Sequence, residues 1–105
     1  MPKYLWEVSY TQQGIKGLLK QGGSKRRAMI EKAVKAVGGK LETFYYAFGE
    51  NDVYAIVDLP NAETAAAFSL VVTAAGTASA KTVALLTPEQ IDVAAKKKIV
   101  YKPPK

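Results

Sequence analysis

A chain of 105 residues, 49% of them hydrophobic, has material for one folded core and too little for two. It contains neither cysteine nor histidine, which excludes disulfide frameworks, thiolate zinc sites, cysteine nucleophiles and imidazole acid–base chemistry. The net charge is +6, but Lys96, Lys97, Lys98, Lys102 and Lys105 stand in residues 93–105 with no acid, so only +1 falls on residues 1–92. The expected organisation is one domain over residues 1–92 and a basic C-terminal tail over residues 93–105.

Alternating aromatic and aliphatic residues from Tyr4 to Tyr10 predict a first strand. No basic and apolar leader precedes it, so a cytoplasmic location is the expectation. Thr11 is placed to cap a short helical turn over Gln12 to Leu19, weakened by Gly14 and Gly17. After Gln21-Gly-Gly, Ser24 is the expected cap of a second helix, whose buried side is marked by Ile30, Ala33, Val34 and Val37 and whose stop is Gly38-Gly39.

The stretch from Lys40 to Asp58 is a β-hairpin, two alternating runs flanking the turn Gly49-Glu-Asn-Asp52. Strict alternation predicts Leu41, Thr43, Tyr45 and Ala47 on one side and Phe44, Tyr46 and Phe48 on the other. Beyond Pro60, Asn61 caps a helix from Ala62 to about Ala75, apolar around most of its circumference and so expected to be buried on more than one side. No charge occurs between Glu63 and Lys81, yet the threonines, serines and Gly76 of that segment argue against a membrane span. Ser79 to Leu86 is a fourth strand, and Thr87-Pro-Glu-Gln90 opens a last short helix with a capping box.

The order strand, helix, strand, strand, helix, strand is the ferredoxin-like βαββαβ arrangement, an α+β fold with an antiparallel four-stranded sheet and both main helices on one face. The other face must be polar or covered. Leu5, Glu7 and Ser9 on the first strand, with Tyr54 and Ile56 on the third, do not make it convincingly polar. The expected partner is therefore the protein itself, as a homodimer or a higher homo-oligomer.

Four segments carry a family resemblance: Pro2-Lys-Tyr-Leu5, Tyr10-Thr-Gln-Gln-Gly-Ile-Lys-Gly-Leu18, Val37 to Val53, and Lys81-Thr-Val-Ala-Leu-Leu-Thr-Pro-Glu89. Together, over roughly residues 2–92, they resemble the GYD-domain family. One departure stands out: the family's name motif places Tyr between Gly-Glu and Asp, where this chain has Asn51. The resemblance implies a dimeric α/β-barrel, two ferredoxin-like subunits pressing their open sheet faces together. The wider superfamily includes cofactor-free monooxygenases, isomerases, haem enzymes and small-molecule-binding regulatory domains, so the fold carries over no catalytic residue.

The chemistry is therefore argued from the residues themselves. Without histidine or cysteine, a general base would be a carboxylate, a tyrosine or a lysine. Glu7, between Trp6 and Val8, is the candidate catalytic carboxylate, and Tyr10, Tyr45, Tyr46 and Tyr54 are candidate ligand-binding residues with an apolar ring and a polar tip. Glu50, Asn51 and Asp52 read as a turn, with no metal site expected, and Gly22-Gly23-Ser24 reads as a connector. No cofactor is expected. The leading expectation is a small homo-oligomeric module that binds a small-molecule ligand or is structural. The alternatives are a cofactor-independent enzyme, monooxygenase- or isomerase-like, on a small aromatic or enolisable metabolite, and a nucleic-acid accessory protein using Lys25, Arg26, Arg27 and the tail. Nucleic acid is not the expected partner, because no base-reading motif accompanies the charge.

Overall fold

Tyr4, Trp6, Val8 and Tyr10 give one apolar side to a first strand, β1 (Lys3–Tyr10), and every later element is arranged around that side. The computed structural model describes residues 1–104; Lys105, the last of the tail lysines, lies outside the described residues. β1 is followed by α1 (Gln12–Gln21), α2 (Gly23–Ala36), β2 (Lys40–Tyr46), β3 (Val53–Asp58), α3 (Ala62–Ala75), β4 (Ala78–Leu85) and α4 (Pro88–Ala95). The strands form one antiparallel sheet in the order β2-β3-β1-β4. This is the expected ferredoxin-like α+β arrangement, with α2 and α3 over one face.

Local chemistry sets the helix boundaries. Thr11 caps α1 by accepting the Gly14 N–H at 3.3 Å, and it also fastens α1 to the start of β4. Its own N–H donates to the Thr77 carbonyl at 3.0 Å and its hydroxyl to the Gly76 carbonyl at 2.9 Å. Asn61 caps α3, with Oδ1 accepting the Thr64 N–H at 2.9 Å, and Gly76 ends α3 at a left-handed φ of 73°. Thr87 and Gln90 close the expected reciprocal box at the start of α4. The expected cap at Ser24 is corrected, because the N-cap of α2 lies two residues earlier in the chain. Gly22, at a φ of 87°, gives its N–H to the Leu18 carbonyl to finish α1 and serves as the N-cap of α2, leaving Ser24 inside the helix.

Alternation in the hairpin also needs correction. Leu41 pairs with Val57 but Thr43 pairs with Ile56, so Glu42 is an extra residue in a β-bulge. The bulge turns Leu41 to the helix side, where it packs against the core, while Thr43 and Tyr45 stay on the open side. The physical reason is burial, since the extra residue lets Leu41 and Phe44 both pack on the core, and at the bulge the Glu42 carboxylate joins Asp58 on the ammonium of Lys3. Those two hydrogen bonds hold Lys3 charged above its ordinary pKa. Phe48 is beyond the end of β2 and fully exposed, so it shares no strand face with Phe44 and Tyr46.

The core consists of Tyr4, Trp6, Val53, Ala55 and Val57 from the sheet, Val34 from α2, Ala65 from α3, and Leu59, with Phe68 tilted over Trp6 at 5.2 Å between ring centroids. Within this chain α3 is covered on one side only. Leu70 and Val71 at its two flanks are exposed, because α4 does not pack over them and has no buried residue. Ile99, Val100 and Tyr101 beyond it are likewise exposed. That arm gives the chain a radius of gyration of 16.6 Å, where about 13 Å is usual at this length.

Candidate functional site

Register across the sheet builds the floor of a cavity. Phe44, Ala55, Trp6 and Thr82 are cross-strand neighbours and form one row spanning all four strands on the helix side. The next rows carry Val53, Val8 and Ala80, then Tyr10 and Ala78. Three of these floor positions are alanines, and Ala75 faces them from α3, so the larger rings at either side are held apart. The space left, roofed by Ile30 of α2 and Phe68 and Val72 of α3, measures about 280 Å³. That is room for about nine waters, most of which would lack hydrogen-bond partners on an apolar wall.

The polar groups of the lining are few. Arg26, in the first turns of α2, lies half-buried at the cavity, and its guanidinium reaches only the Met29 sulfur, at 4.0 Å. Both ion pairs among the described residues belong to Lys3, and no carboxylate lines the cavity. Thr82 Oγ1 is buried without a hydrogen-bond partner. Near Arg26, the Tyr46 hydroxyl donates to the Gly23 carbonyl at 3.0 Å and ties β2 to the start of α2. Burial pushes the Tyr46 pKa up, neighbouring Tyr10 adds to the rise, and Arg26 and Arg27 pull it partly back.

The five candidate side chains separate onto two faces. Tyr10 lines the cavity and Tyr46 adjoins it, whereas Glu7, Tyr45 and Tyr54 lie on the open face. There Asn51 organises a polar cluster, donating to Glu7 Oε2 at 3.2 Å and to the Tyr54 hydroxyl at 3.1 Å while accepting from Ser9 Oγ at 3.1 Å. The turn oxygens thus serve the protein itself, since the Asp52 carboxylate also accepts the Tyr10 N–H at 2.8 Å. Among the described residues no group of acidic side chains has the arrangement of a metal site. The open face is more polar than its strand sequences suggested. An apolar strip of Ile56, Leu5 and Val83 runs between a row with Asp58 and Lys3 and a row with Tyr54, Glu7 and Lys81.

Arg26, read only as part of the basic cluster Lys25 to Arg27, and Thr82 were not among the candidate ligand-binding residues. Arg26 stands four residues before Ile30 and eight before Val34, the spacing that places it on the inward stripe of α2. For Thr82 the signal is weaker, a lone hydroxyl on the alternation that carries Ala78 and Ala80 to the same side.

The fold and the site define a ferredoxin-like domain with an apolar cavity between its sheet and helix layers and an uncovered second sheet face. The chain belongs to the GYD-domain family, whose model (GYD domain) matches residues 4–95, from β1 to the last residue of α4. No curated protein and no solved structure matches it. No helix among the described residues is long and apolar enough to cross a membrane.

Proposed function

We propose that this GYD-domain protein is a homodimeric binding module that holds a small, largely apolar molecule between its sheet and its helices. The observation that carries the reading is the cavity of about 280 Å³ bounded by Trp6, Phe44 and Phe68, a volume suited to a ligand of one or two rings. Binding rather than turnover in the cavity is favoured because its lining contains no carboxylate: Glu7, with its cross-strand neighbour Tyr54, lies on the opposite face of the sheet. Dimerisation is supported by the strip of Ile56, Leu5 and Val83 and by Tyr45 beside it, which is 70% exposed in the single chain.

Two measurements test the two halves of this reading. Sedimentation velocity should give a dimer at micromolar concentration, and Val83→Glu on the open face should yield folded monomer; a monomeric wild type would overturn the assembly. Single-ring aromatic compounds should raise the melting temperature of the wild type and not that of Ala80→Leu, whose larger side chain occupies the cavity floor. Equal shifts in both proteins would place binding elsewhere.

A further inference from the structure

We infer that the ligand of this cavity is an organic anion, a single-ring aromatic carboxylate or a molecule of like size and charge, with its anionic group on Arg26. The inference rests on the binding reading above and adds the charge of the ligand.

Three observations converge on it. First, Arg26 is a half-buried cation without an anionic partner: the one hydrogen-bond partner of its guanidinium is a thioether sulfur, the nearby Tyr46 hydroxyl is given to the Gly23 carbonyl, and the carboxylates of the described ion pairs are both held by Lys3. A guanidinium that loses part of its hydration without gaining an acceptor is destabilised, and an arriving carboxylate supplies that acceptor in the fork geometry that suits arginine. Second, the lining contains this cation and no acid, so the field inside the low-dielectric space is of one sign. Third, apart from Ser69, Thr77 and Thr82 the remainder of the wall is apolar or aromatic, chiefly Trp6, Phe44, Phe68 and Ile30, and it offers ring-sized contact to the uncharged part of the ligand. Arg27, the next residue, is exposed and does not line the cavity, which makes it an internal control for diffuse surface attraction.

The test uses Trp6, the chain's one tryptophan, as the reporter, since its indole is part of the cavity wall. Full-length protein is titrated with 4-bromobenzoate and with the neutral 4-bromobenzamide, whose bromine quenches tryptophan emission on contact. The wild type should bind the benzoate about tenfold more tightly than the amide, a typical size for a charge-assisted pair in a partly buried site. Arg26→Gln should abolish that preference, chiefly by weakening the benzoate. Arg26→Lys should keep part of it, and Arg27→Gln should keep it in full. Melting curves of each variant identify loss of fold. Quenching by both compounds with equal affinity in the wild type leaves the binding reading in place and overturns the charge inference. A preference that survives Arg26→Gln, or falls equally in Arg27→Gln, also overturns it. Absence of quenching by either compound overturns the binding reading and the inference with it.

Discussion

The side-chain amide of Asn51 donates to the Glu7 carboxylate at 3.2 Å from a position only 7% exposed. The same nitrogen reaches the Tyr54 hydroxyl and the amide oxygen accepts from Ser9, so one residue joins the hairpin loop to β1 and β3. Replacing it by alanine leaves three polar groups short of a partner. Asn51→Ala should therefore cost about 1–3 kcal/mol in chemical denaturation. A midpoint unchanged from the wild type would show that water replaces the amide without loss.

Gly14 and Gly17 lie one turn apart on α1 and should respond in opposite directions to the same substitution. A Cβ at Gly14 would stand 2.0 Å from the Thr77 carbonyl oxygen, backbone that is itself held by the Thr11 N–H, whereas a Cβ at Gly17 meets nothing within 4 Å. Gly14→Ala should destabilise by at least about 1–3 kcal/mol. Gly17→Ala should stabilise by about 0.4–1 kcal/mol through the unfolded state. Thermal denaturation of the two variants side by side decides the matter.

Thr82→Val removes a buried hydroxyl that has no partner and keeps the branched shape of the side chain. In the ligand-free protein the exchange should be neutral or stabilise by about 1 kcal/mol. A clear loss of stability would mean that the hydroxyl is satisfied in solution.

Tyr46 gives the protein an alkaline limb. Its folded pKa is raised, chiefly by burial and then by Tyr10, so its contribution to stability is fully present below the unfolded tyrosine value, about 10, and is lost as pH rises through the folded one. Tyr46→Phe should flatten the fall in melting temperature above pH 10. An identical alkaline fall in the variant would assign the effect to other groups.

Deleting residues 96–105 removes a segment whose described side chains are all exposed. The truncated protein should keep its melting temperature and its state of association, and it should elute from a polyanion resin at lower salt. A loss of several degrees, or a change in sedimentation, would make the arm a structural part of the assembly.

What was legible in the sequence was local. The caps at Thr11, Asn61 and Thr87 act within three residues of themselves, and the bounds of α3 follow from Asn61 and Gly76. The bulge at Glu42 was not, because it answers to Lys3 and Asp58 on other strands. The cavity was not legible either: its volume arises where Ala55 of β3 and Ala78 and Ala80 of β4 come to one face on either side of β1, and that placement depends on register rather than on any one segment. Arg26 was visible as charge and its spacing to Ile30 and Val34 marks the inward stripe of α2, but the cavity it faces depends on strands far away in the sequence. The outward course of α4 has no signature at all in a segment that reads as an ordinary amphipathic helix.

The position of β1 in the middle of the sheet sets the order of events during synthesis. The first strand made is flanked by β3 on one side and by β4, the last strand made, on the other. While the chain grows, Trp6 therefore has no neighbour at Thr82, and the Thr11 amide has no Thr77 carbonyl to meet. Closure of the sheet waits for nearly the whole domain to emerge, a long-range pairing of the kind that slows folding relative to helical proteins of equal size. Until then the edge of β1 that β4 will occupy is open to any passing strand, and the nascent protein has a need for protection that the finished one does not.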